Sequence, residues 1–188
     1  MTAHSDHEIP RDRLLRIRLA LDGAYEALRL ARREAEGANA DPARLRWVAL
    51  GSISTLQGML VAALSGYETA SLDAVINPAQ PDRIAPVALL LRRARSGEYL
   101  NPPERVELSG SRQRAIERVI DLRNSAVHAL AFDLPETLVA DLRTVLELIE
   151  QLAFEAPAFD PASVRVFTAL FADEVAGLRR VLANLDAL

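Results

Sequence analysis

The sequence contains no cysteine, which excludes disulfides, thiol catalysis and thiolate metal sites at once. Lysine is missing as well, and all 22 basic side chains are arginine. Every cation is therefore a planar guanidinium, a shape suited to bidentate grip on a phosphate or a carboxylate. Aromatic residues make up only 5% of the chain. No apolar run approaches the roughly 20 residues of a membrane span. The polar stretch over residues 1–13 lacks the apolar segment of a secretory signal. A cytoplasmic protein without membrane association is expected. The net charge of −4 denies the chain any overall basic character, so a nucleic-acid contact must come from a local patch.

What the chain does have is Ala and Leu in helical spacing. Half of its 188 residues are hydrophobic and 26% are charged, a balance that suits one folded domain rather than a disordered chain. Residues 1–9 read as a disordered tail and 10–188 as a single helical domain. A first helix fits Pro10 to Glu36, with Leu14, Ile17, Leu21 and Leu28 on one side. A second starts at Asp41-Pro42, where Asp caps and Pro fits the first turn. Its stripe is Ala49, Ile53, Leu56, Leu60, Ala63 and Tyr67, and Gly51 and Gly58 leave room for a close neighbour.

Five of ten prolines fall in residues 71–110, which read as a loop-rich insert with one short helix over about Val87 to Ser96. That helix carries a basic cluster, Arg92, Arg93 and Arg95, which suits an RNA backbone or simply a solvated face. Helix resumes from Ser111 to about Leu130. A capping box, Asp133 to Glu136, opens the next, which runs to about Glu155 with Leu138, Leu142, Val145, Ile149 and Leu152 inward. The last opens at Asp160-Pro161 and shows Val164, Phe167, Phe171, Leu178 and Val181. Nothing alternates with period two, so no sheet is predicted. The fold class is all-α, an antiparallel helical bundle with a Pro-rich insert.

One helix breaks its own pattern. With Arg123 as origin, Ile116, Val119, Ile120, Ala126, Val127 and Leu130 all fall within about 60° of it at 100° per residue. The guanidinium sits in an apolar stripe and needs a carboxylate, a carbonyl cluster or a ligand-admitting cleft. His128 lies one turn after Asn124. With His4 and His7 in the tail, it is the one His of the folded body. Arg112 shares the azimuth of Arg123 and would either extend a phosphate-contacting groove or pair with a nearby Glu. One usable His and no Cys give no metal-site spacing, and no cofactor motif or nucleophile turn is present.

The run Leu122-Arg123-Asn124-Ser125-Ala126-Val127-His128 resembles the signature of HEPN domains, an Arg, a polar residue, a few more residues and then a His, late in a helical bundle. The resemblance covers residues 10–155. It implies a metal-independent endoribonuclease of toxin–antitoxin or phage-defence type, acting as a homodimer whose two motifs face one cleft. Arg123 would hold the phosphate, His128 would move the proton of the ribose 2′-hydroxyl, and Asn124 would orient the His or the RNA. An antitoxin or operon partner protein is also implied. Some family toxins carry a modifiable Tyr two residues after the His, where this chain has Leu130. Other members of the family cleave nothing, so a non-catalytic helical adaptor or a nucleotide-binding partner protein is the alternative.

Overall fold

The computed structural model describes residues 9–128 and 134–185. Among them six α-helices pack into a bundle: α1 (Arg13–Glu36), α2 (Leu45–Leu64), α3 (Val87–Ala94), α4 (Gly110–His128), α5 (Leu138–Glu150) and α6 (Arg165–Leu185). The helix starts obey local chemistry. Asp12 accepts from the Leu15 amide at 2.6 Å and sets the first residue of α1 at Arg13, three later than the sequence pattern suggested. Asp41 and Asp160 cap short 3₁₀ turns, each with Pro at its start, that lead into α2 and α6. The capping box at Asp133 lies outside the described residues. Thr137 precedes α5, and beyond Glu150 the coil widens to one π turn over Gln151–Glu155.

α2 is the centre of the molecule. Thirteen of its twenty residues are buried, because α1, α3, α4 and α5 all pack on it. This explains a departure from the sequence reading. Pro42–Leu64 is long and apolar enough to cross a membrane by length and composition, yet it is mostly buried within the bundle. A helix packed against four others must be apolar over most of its surface.

Antiparallel packing of α1 on α2 is very close. A Cβ built on Gly51 would lie 2.7 Å from the Ala27 carbonyl oxygen, and one on Gly58 would lie 2.6 Å from that of Ala20. α4 and α5 are also antiparallel, as their cross-links Arg112–Glu147 and Arg118–Asp141 require. α6 returns along α5, with Arg143 donating to the Leu182 carbonyl. α6 also lies along α1, where Arg32 meets Glu174 at 3.2 Å. Phe171 is fully buried and stacks on Phe167 at 4.8 Å, so α6 shares the bundle's core.

Two expectations are corrected. Residues 71–110 contain a small sheet: β1 (Ile76–Asn77) pairs antiparallel with β2 (Gln80–Ile84) around a turn in which Asn77 Oδ1 accepts from the Ala79 amide at 3.1 Å. β2 is exposed along nearly its whole length, so no apolar alternation marks it. Leu14 does not face the core either and is 60% exposed. It opens instead onto a groove between the first turns of α1 and α6. Ile9, placed in the tail by sequence, is half-buried.

Candidate functional site

α4 forms because its apolar positions recur at helical spacing, and Ala115, Ile116, Val119 and Leu122 are the ones it buries. The centre of that face lies roughly 50° from Arg123 at 100° per residue. Arg123 therefore stands at the edge of the apolar stripe, not in its middle, and is half-buried. Its Nη1 donates to Asn124 Oδ1 at 3.0 Å. Its Nε is buried without a hydrogen-bond partner, and among the described residues no carboxylate pairs with it. Asn124 and Ser125 are exposed beside it. His128 is the last residue of α4, and its side chain lies outside the described set.

The ion pairs that tie α4 to α5 lie upstream. Arg118 makes a two-point pair with Asp141, Nε to Oδ2 at 2.8 Å and Nη2 to Oδ1 at 2.5 Å. The Thr137 hydroxyl adds a third bond to Asp141, which is 4% exposed. The hydrogen bond to Asp141 holds the Arg118 pKa above the ordinary guanidinium value, against a smaller desolvation effect. Arg112 meets Glu147 at 3.4 Å, the pairing alternative for this residue, while its Nε is buried without a partner. Sequence reasoning missed Asp141. The signal was present: a carboxylate three residues after Leu138 and four before Val145, both of which face inward.

The basic cluster of α3 does not form one patch. Arg92 is exposed. Arg93 turns back onto the start of the hairpin, where its Nη1 donates to the carbonyls of Ala74, just before β1, and Ile76, in β1, at 3.2 and 2.9 Å. Arg95 reaches α4 and donates to Gln113 Oε1 at 2.6 Å. Arg95, through Gln113, and Arg112, through Glu147, are both held near the start of α4, with Arg123 roughly 16 Å further along the same helix.

No protein-family model matches the chain, and no curated protein or solved structure matches it either. The candidate site rests on its own geometry. Among the described residues an α4 guanidinium at the rim of the core has no charge partner, a side-chain amide holds its outer nitrogen, and His128 follows five residues later on the same helix. Such a guanidinium can donate to a phosphate oxygen without first breaking an ion pair. Among the described residues no cluster of metal-ligating side chains converges. A groove of about 1080 Å³ lies elsewhere, between α1 and α6.

Proposed function

We propose that this chain is a HEPN-like, metal-independent endoribonuclease of toxin or defence type, acting in the cytoplasm as a homodimer. One observation carries the reading. Among the described residues Arg123 projects from the core edge of α4 without a carboxylate, while the neighbouring Arg118 takes the buried Asp141. A half-buried guanidinium at a core edge gains from a compensating anion, and in this reading a scissile RNA phosphate supplies it.

The chemistry follows from the residue types. The His128 imidazole takes the proton of a ribose 2′-hydroxyl, and the freed oxygen attacks the adjacent phosphorus. The bond from phosphorus to the 5′-oxygen breaks, and that oxygen takes up a proton. An imidazole titrates near neutrality and serves either role, but not both in one concerted step. Two copies of the chain supply both, which is the physical ground for a dimer. Arg123 stabilises the charge that develops on the phosphate, and Asn124 fixes the guanidinium. Arg112 and Arg95, held near the start of the same helix, would extend the contact along the RNA backbone, and the exposed Arg92 of α3 would add a separate phosphate contact.

The test is incubation of the purified protein with mixed RNA in excess chelator, beside His128→Ala and Arg123→Ala. Cleavage that survives chelation and is lost in both variants supports the reading. Absence of cleavage by a folded wild-type protein overturns it.

The second reading, a non-catalytic helical adaptor for another protein, is favoured by a different observation. Leu14, Val166 and Leu170 are 60%, 75% and 45% exposed around the α1–α6 groove. Apolar side chains gathered in this way suit a protein partner.

A further inference from the structure

Arg16 stands in the second turn of α1, yet it is only 3% exposed. Its Nε donates to Ser65 Oγ at 2.8 Å, and its Nη1 donates to the Pro10 and Arg11 carbonyls at 2.9 and 3.3 Å. These bonds fix the guanidinium but bring no negative charge. Among the described residues no carboxylate lies within ion-pairing distance of it, and Nη2 carries no hydrogen bond. Burial pushes the Arg16 pKa below its ordinary value, Arg13 adds to that, and Asp12 opposes it from a distance. A buried cation left uncompensated is unfavourable, so the site gains from any anion that can reach it.

An anion can reach it. Arg16 forms one end of a groove of about 480 Å³ that follows the crossing of α1 and α2. Leu19, Ala20, Val61 and Ile84 give the groove apolar walls, and Gly23 lies toward its far end. A Cβ added at Gly23 would meet nothing within 4 Å, so the groove is open there. Arg16 and Gly23 are separated by about 10 Å along the helix axis. The neutral side chains of Ser54 and Gln57 also line it, and Arg16 is its one charged group. The volume lies within the range of small-ligand sites, and a few placed polar groups in apolar surroundings are their usual composition.

We propose that this groove binds a monocarboxylate carried on a short apolar chain, with the carboxylate on Arg16 and the chain laid toward Gly23. One uncompensated guanidinium matches one negative charge. A phosphate dianion would leave excess charge among Leu19, Val61 and Ile84. The site is separate from Arg123 and does not depend on the ribonuclease reading.

Calorimetric titration of the full chain with octanoate, 1-octanol and acetate tests this. Octanoate is expected to saturate at one per chain, and to bind at least about tenfold more tightly than octanol or acetate, each lacking one half of the recognition. Arg16→Gln removes the preference of octanoate over octanol. Gly23→Leu fills the open end and weakens octanoate by about tenfold or more without lowering the melting temperature. Should Arg16→Gln fail to fold, the ligand comparison and Gly23→Leu decide the matter. Octanoate binding that does not saturate, that is no tighter than octanol, or that is unchanged in Gly23→Leu overturns the proposal.

Discussion

Arg118 and Asp141 close a two-point ion pair between α4 and α5, and the next arginine along that helix, Arg123, has among the described residues only the Asn124 amide. Two guanidinium groups on one helix thus have different tasks. The first holds two helices together, and the second is free to meet a ligand.

The difference is measurable as stability. Asp141→Ala removes a buried carboxylate and strands both Arg118 and the Thr137 hydroxyl, so it lowers the urea midpoint clearly. Arg123→Ala removes no ion pair and shifts stability by less than about 1 kcal/mol, as for most partly exposed positions. Because the bond to Asp141 raises the Arg118 pKa, the contribution of the Arg118 charge is fully present below the ordinary guanidinium value. It is lost only as pH climbs through the raised value, so it adds no slope to stability in the mildly alkaline range. A larger loss in Arg123→Ala than in Asp141→Ala would reverse the two assignments.

Close approach of α1 and α2 makes glycine indispensable at Gly58. Helix propensity alone would favour Ala by about 1 kcal/mol. A Cβ only 2.6 Å from the Ala20 carbonyl oxygen must instead force the helices apart. Gly58→Ala is expected to destabilise by about 1–3 kcal/mol. Gly23→Ala, with open space around it, should stabilise by about 0.5–1 kcal/mol. Urea unfolding of the two variants tests the opposite signs.

Phe171 ties the last helix to the rest. It is fully buried and stacks on Phe167. Phe171→Ala should cost about 3–5 kcal/mol, and unfolding should remain one transition by both near- and far-ultraviolet dichroism. A separate early transition would mean that α6 is a dispensable appendage.

The arginines of α3 should separate by function. Arg93→Ala breaks two hydrogen bonds to the hairpin and should cost about 1–3 kcal/mol of stability with little change in RNA affinity. Arg92→Ala should leave stability unchanged. If Arg92 contacts a phosphate, its removal lowers the slope of log affinity against log salt by about 1.

Much of the helix pattern was legible because burial in a bundle follows the 3.6 period: Ile53, Leu56 and Leu60 in α2, and Leu142, Val145 and Ile149 in α5, are all buried as their spacing implies. Elements whose residues do not face the core left no such trace. β2 is set by the turn at Asn77 and by Arg93 donating to Ile76, not by an apolar face. Leu14 has helical spacing but lies where α1 faces the groove toward α6, so the period misplaced it. At the candidate site, the apolar stripe marked Arg123 as anomalous, whereas Asp141 went unnoticed in a stronger one. Arg16 could not be read at all. Its burial depends on Ser65, 49 residues away, and on the path of the chain at Pro10.

The most direct test of the central claim is the single-turnover rate at which Arg123→Ala cleaves an RNA oligonucleotide in excess chelator, relative to wild type, with both proteins shown to be equally folded. Loss of a charge-stabilising donor predicts a fall of about 10²–10³-fold. An equal rate in the two proteins would contradict the account, because the unpaired guanidinium of α4 would then have no part in holding the phosphate.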